Sequence, residues 1–289
     1  MSPSDNRQPT WRGLRIAREL RKLRVQTGRS QEAAAEVLQC GQAKISHIES
    51  GYRGIRKLDL NLLLDLYGVE DEAHRASLHR LALDRRQRGW SSTAPQGPLL
   101  YGLLEDYLTI EEESERVRAY ESVVLPGILQ TADYARHIIR YGAPEDEVDS
   151  RVEARIKRKE RLCHPGSEPL ELRTIIETPA LHRIPEPVRE GQLEHLLEMA
   201  ERDNVTLQVL PVDAAMPLDQ YPPFTLFSTS RPPAFTLAWL EHRTGGTLLE
   251  ETEDVRSYEQ TWVEMATAAL APADSKKYLR KLLEDTKRS

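Results

Sequence analysis

The sequence predicts an N-terminal all-α helix-turn-helix bundle joined to a C-terminal α+β domain with a small mixed or antiparallel sheet. Three observations carry that expectation. The segment QEAAAEVLQCGQAKISHIES, Gln31 to Ser50, has the spacing of two short helices crossing at a tight turn. Beyond residue 98 the pattern changes to helices interleaved with strand-like runs, the strands grouped mostly late. Charge divides at the same place: residues 1–90 hold 17 basic and 11 acidic side chains, whereas the remainder holds 23 and 35, a net +6 against −12.

The first element is a helical stripe of Leu14, Ile16, Ala17, Leu20 and Leu23, ending near Thr27-Gly28. Ser30 follows as an N-cap for the next helix, its hydroxyl placed to accept a backbone N–H. Ala35 removes the side-chain bulk that would keep two helices apart, and Ile45 and Ile48 repeat three residues apart on an inward face. Gln39-Cys40-Gly41 is a three-residue turn, with Gly41 expected to take a backbone angle closed to other residues. After Glu49-Ser50-Gly51, LDLNLLLDLYGV offers Leu60, Leu63, Leu64 and Tyr67 as a further buried face, and HRASLHRLALDRRQR reads as a charged helix. The sum is a four- or five-helix bundle, residues 1–88, followed by a linker at 89–98 where Gly, Ser, Thr and Pro interrupt the helical reading.

Residues 99–289 form the second expected domain. LLYGLLEDYLTIEEESE reads as a helix, VRAYESVVL as a strand, and Pro126-Gly127 as a tight turn into a helix beginning near Leu129. DEVDSRVEARIKRKERLC is a long charged helix stopped by His164-Pro165-Gly166. Strands at ELRTIIET, VTLQVLP, FTLFST and FTLAWLEH surround a helix from Val188 to Arg202, and helices Thr252–Leu270 and Ser275–Asp285 close the order.

The spacing leaves Gln42, Ala43, Lys44 and His47 on the outer, N-terminal face of the second helix of the motif, where a helix-turn-helix meets base edges in the major groove. Gln42 can offer its amide to adenine, Ala43 can meet a thymine methyl, Lys44 suits guanine or phosphate, and His47 a base or phosphate. Arg53, Arg56 and Lys57 are candidate phosphate clamps. Within residues 12–57 the count is 11 basic to 4 acidic, so attraction for a double-stranded DNA operator is concentrated on the motif although the chain as a whole is acidic.

These residues resemble the phage-repressor-like, or XRE, family of transcription regulators: SQEAAAEVL, the glutamine opening the recognition helix, and ISHIESGYR carry the likeness. The resemblance implies that Gln31 grips a phosphate and braces the recognition helix. Gln39 departs from it, standing where the family usually has glycine, so a left-handed conformation is expected there at some cost, shared with Gly41. YESVVLPGILQTADYAR, ETPALHR, GQLEHLLEMA, VTLQVLP and PPFTLF resemble, in that order, the C-terminal domain of unknown function that follows an XRE reader in many actinomycete regulators, including the WhiJ type. That likeness implies a transcription regulator, often paired with a small acidic partner protein of the BldB-like kind, and supplies no effector.

No enzyme, cofactor or metal site is expected. The histidines lack HxxxH spacing, there is no CxxC, and GxSxG, Walker and GxGxxG patterns are missing. The two cysteines, Cys40 and Cys163, fall in different expected domains, which reads as two free thiols, with redox sensing by Cys40 as the alternative. Glu111-Glu112-Glu113 and Glu250-Glu251 read as solvated faces, and Glu177 with Arg183 as a buried ion pair. PGILQT is either a packed strand-to-helix corner or a helix N-terminus open to an anion or a partner's carboxylate. Tyr221, Phe224, Phe227 and Trp239 either line a pocket or fill a core. No apolar run approaches the ~18 residues of a membrane span and the start lacks a secretory pattern, so a cytoplasmic, nucleoid-associated protein is expected. The reading is a homodimeric, sequence-specific DNA-binding transcription regulator whose C-terminal domain serves dimerisation, an unknown small ligand or a partner. The alternative is an antitoxin-like interaction protein that sequesters a small partner and autoregulates its own operon.

Overall fold

The computed structural model describes residues 11–84, 100–163, 169–214, 222–231, 234–242 and 245–288. The expected linker at 89–98 lies outside them, as do His164 and Tyr221. Contacts divide the chain into two compact units, one holding residues 11–84 and the other most of the chain from residue 100 onward.

The first unit is five helices: α1 Trp11–Gln26, α2 Gln31–Val37, α3 Gln42–Glu49, α4 Lys57–Leu66 and α5 Glu72–Asp84. Its core joins Ile16 and Leu20 of α1, Ala34 and Ala35 of α2, Ile45 and Ile48 of α3, Leu60, Leu63 and Leu64 of α4, Tyr67 beyond it, and Leu78 and Leu81 of α5. Each helix contributes one stripe at helical spacing, so no helix is stable by itself and the five must pack together. α1 stops at Gly28, whose φ of 65° suits glycine just past a helix end.

The second unit is a six-stranded mixed sheet with strands β1 Arg116–Glu121, β2 Glu171–Glu177, β3 Val205–Leu210, β4 Phe224–Thr229, β5 Phe235–His242 and β6 Gly245–Leu249 in the order β3-β2-β1-β4-β5-β6. β1, β2 and β3 run parallel; β1–β4, β4–β5 and β5–β6 are antiparallel. Parallel neighbours require long crossovers. α7 Ala132–Ile139, α8 Val148–Arg158 and α9 Glu160–Cys163 lie between β1 and β2; α10 Thr178–His182 and α11 Glu186–Met199 lie between β2 and β3. α6 Leu100–Glu113 precedes the sheet, and α12 Thr252–Ala268 and α13 Pro272–Arg288 follow it. Tyr120, Ile175, Phe224, Leu226 and Ala238 cover one sheet face and pack with Trp262 and Met265 of α12. Tyr107 of α6 meets Phe227 and Trp239 edge to face at 5.1 and 5.6 Å, so these aromatics fill a core.

Several expectations are corrected here. β6 and α10 were not anticipated. Gly245-Gly246 has the look of a loop, yet Gly246 pairs with Glu241 and a Cβ on it would lie 2.1 Å from the Trp239 ring, so the ring packed over this strand demands glycine. The charged run after residue 144 is a 3-10 turn and two helices rather than one long helix. The helix after Pro126-Gly127 begins at Ala132, not near Leu129, with Thr131 capping the Tyr134 N–H and Gln192 accepting the Thr131 N–H at 2.8 Å. Gln130 is buried and donates to the Leu125 carbonyl at 2.7 Å. PGILQT is therefore a packed corner. Glu111 is not on a solvated face: it is buried and paired with Arg158. Glu177 and Arg183 do not pair; Glu177 accepts the Tyr120 hydroxyl at 2.6 Å while Arg183 is exposed and reaches the Ser122 carbonyl.

Candidate nucleic-acid interface

The motif is assembled by short-range chemistry. Ser30 caps α2 as expected, its hydroxyl accepting the Ala33 N–H at 3.2 Å. Buried Ala34 and Ala35 let α2 approach α3, and Ile45 and Ile48 face inward. Gln39 takes the left-handed conformation with φ 48°, whereas Gly41 does not share it: φ −73° and ψ 148° make Gly41 an ordinary extended N-cap of α3. The strain sits wholly on Gln39, an exposed residue. Gln39→Gly should therefore stabilise the motif by about 1 kcal/mol, the left-handed penalty less the entropy of glycine. Gly41→Ala should be tolerated, since a Cβ there meets nothing within 4 Å. Amide exchange in α2 and α3 of the full-length protein measures both; slower exchange in the first variant is the expected result, and faster exchange would show that the Gln39 side chain compensates its own strain.

Gln42, Ala43 and His47 are exposed on α3, together with Ser46. Arg53, Arg56 and Lys57 are exposed beyond it, and among the described residues no side-chain hydrogen bond or ion pair holds any of the three. The Arg53 N–H donates to the His47 carbonyl at 2.9 Å, which ties the loop to the end of α3. Lys44 differs: it is half-buried, and its ammonium lies 2.8 Å from Oδ2 of Asp59 on α4.

Behind the exposed face is a chain of hydrogen bonds centred on Glu49, a residue the sequence reading passed over. Arg24 of α1 donates from Nε and Nη2 to the two Glu49 oxygens at 2.6 and 3.0 Å. Gln31 donates its amide to Glu49 Oε2 at 2.9 Å, and Gln42 donates to Gln31 Oε1 at 3.3 Å. The order matters. Because the Gln31 amide nitrogen is turned to Glu49, its oxygen is the atom presented to Gln42; Gln42 then keeps its own oxygen and one N–H free, the acceptor-donor pair that matches an adenine edge. Arg24 is held more strongly protonated than an ordinary guanidinium by its hydrogen bond to Glu49. The buried Tyr67 hydroxyl beside this pair is pushed up to about 12, by burial first and then by the Glu49 charge. A periodic signal for Glu49 was present: it lies four residues after Ile45, and Arg24 four after Leu20, each on the buried stripe of its helix.

Comparison with known proteins finds two families along the chain. Residues 15–78, from α1 into α5, match a family described as a helix-turn-helix domain. Residues 104–281, well over half the chain, match the family described as Domain of unknown function (DUF5753). The chain belongs to the DUF5753 family. Neither a curated protein nor a solved structure matches it.

In this DUF5753 protein the helix-turn-helix domain marks a DNA-binding regulator with a C-terminal domain of unknown function. No described helix is long and apolar enough to cross a membrane. Among the described residues no group of three or more His, Cys, Asp or Glu side chains is arranged to hold a metal. Cys40 is half-buried, Cys163 is exposed, and both are free thiols. The DUF5753 domain does contain a polar cluster on the face of the sheet toward α6 and α8. The Arg158 guanidinium chelates Glu111 at 2.6 and 2.7 Å and lies 5.1 Å from the Tyr107 ring centroid; Arg155 donates to Gln130 Oε1 at 2.8 Å. Burial, then the nearby Glu241 charge, pushes the Glu121 carboxyl up to about 8.

Proposed function

We propose that this DUF5753 protein is a cytoplasmic, nucleoid-associated, sequence-specific transcription regulator that binds a two-half-site operator as a homodimer and has no catalytic role. Gln42, Ala43 and His47 read base edges, Arg53, Arg56 and Lys57 hold phosphates, and Gln31 braces Gln42. The observation that carries this reading is the Arg24–Glu49–Gln31–Gln42 chain, which fixes the orientation of a polar side chain on an otherwise exposed helix face. Fixing an exposed amide has a cost in side-chain freedom that surface solvation does not require, and base recognition does. One recognition helix contacts few base pairs, so a second copy supplies affinity and selectivity. The acidic DUF5753 domain serves dimerisation, a small ligand or a partner protein in this reading.

Duplexes selected from a random pool by the full-length protein provide the test. A selected duplex should contain two related half-sites, and sedimentation should give two chains per duplex. Gln42→Ala should weaken the selected duplex by roughly 1–3 kcal/mol and relax preference at one base pair, whereas Arg53→Ala should weaken all duplexes alike. Selection that returns no common sequence, or both variants binding as the parent does, sinks the reading.

A further inference from the structure

We propose that Asp59 limits the sequence-independent DNA affinity of the reading helix by withholding Lys44 from the phosphate backbone. The inference rests on the DNA-binding reading above and deepens it. Lys44 is the one Lys or Arg on α3. Its Nζ lies 2.8 Å from Asp59 Oδ2, and the two side chains are only 25% and 19% exposed, so the pair is partly desolvated and keeps the short distance of a charge-assisted hydrogen bond.

Asp59 has its own reason to stay where it is. It lies in the first turn of α4, where the helix dipole favours a carboxylate, and the Arg56 N-cap provides no side-chain hydrogen bond to that helix end. Moving Lys44 onto a phosphate would leave this carboxylate unpaired beside a polyanion. By contrast, Arg53, Arg56 and Lys57 are exposed and carry no such partner among the described residues. An arbitrary duplex therefore meets the loop cations and not Lys44. Phosphate attraction is the sequence-independent part of DNA affinity, so withholding one cation lowers binding to every duplex while leaving the base contacts of Gln42 and Ala43 in place. Selected and arbitrary duplexes are weakened by the same factor, so the ion pair sets absolute affinity and leaves the ratio between them unchanged.

The test measures affinity of the full-length protein for a selected duplex and for a scrambled duplex of the same composition across a salt series. Asp59→Asn frees Lys44: both duplexes should bind more tightly, the slope of log affinity against log salt should steepen by about 0.9 for each, the value for one added phosphate contact, and the selected-to-scrambled ratio should hold. Adding Lys44→Met to Asp59→Asn should restore the parental slope. Asp59→Ser replaces Asp59→Asn if the latter does not fold. Arg53→Ala, expected to give a shallower slope, shows that phosphate contacts are being counted. If Asp59→Asn keeps the parental slope and affinities while Arg53→Ala lowers the slope, Asp59 withholds nothing and this proposal alone falls. If the parent protein shows no salt-dependent binding to either duplex, the DNA-binding reading falls and takes this inference with it.

Discussion

Glu111→Ala should remove about 3–5 kcal/mol of stability from the DUF5753 domain, the range for taking one partner out of a buried ion pair. Glu111 and Arg158 are 3% and 7% exposed, and the guanidinium donates from Nε and Nη2 to both carboxylate oxygens. Without Glu111 a full positive charge stays beneath Tyr107 with its main acceptor gone. Nor can the arginine shift freely toward the Gly127 turn, because Nη1 already approaches Gly127 so closely that a Cβ there would lie 2.7 Å away. The cost comes from the stranded charge rather than from the net strength of the pair. Replacing both members, Glu111→Leu with Arg158→Met, should accordingly recover most of the loss, since apolar pairs of similar volume substitute well for buried ion pairs. Amide exchange in β1 and β2 of the full-length chain reads both variants locally. Equal protection in parent and Glu111→Ala would mean the pair is solvated and the stated burial wrong; a double variant no better than the single would place the loss in packing instead of charge.

Glu49→Ala should strongly destabilise the helical unit, by about 3 kcal/mol by the same reasoning. The Glu49 side chain is 4% exposed and that of Arg24 13%, and Glu49 alone accepts from Arg24 and Gln31 together. Its loss unclamps α1 from α3 and frees Gln31, so the amide of Gln42 loses its fixed orientation. Two effects should therefore appear in one variant: faster amide exchange in α1 and α3, and weaker binding to a selected duplex. Glu49→Gln separates them. A neutral amide can still accept from Gln31, so orientation of Gln42 is retained in part, while the charge-assisted hydrogen bonds to Arg24 are lost. Exchange in Glu49→Gln should lie between parent and alanine variant, with duplex preference closer to the parent. Parental exchange rates in Glu49→Ala would remove the clamp from the account of this fold.

The sequence by itself determined what local spacing determines. The helix-turn-helix follows from Ser30, Ala35, Ile45 and Ile48 because a cap and a helical period act within a few residues, and the structure places each of them as that period requires. The left-handed turn at Gln39 followed from the family resemblance, though its neighbour Gly41 took an ordinary extended conformation instead of sharing the strain. The five strands legible as apolar runs are present, and the sixth was hidden because its Gly246 answers to the Trp239 ring of another strand. Tertiary structure decided every question about charge. Glu49 meets Arg24 across 25 residues, Lys44 meets Asp59 across 15, and Glu111 meets Arg158 across 47. A carboxylate in a solvated run and a carboxylate in a buried pair have the same local sequence. Only the packing that removes water and brings a distant cation within 3 Å distinguishes them.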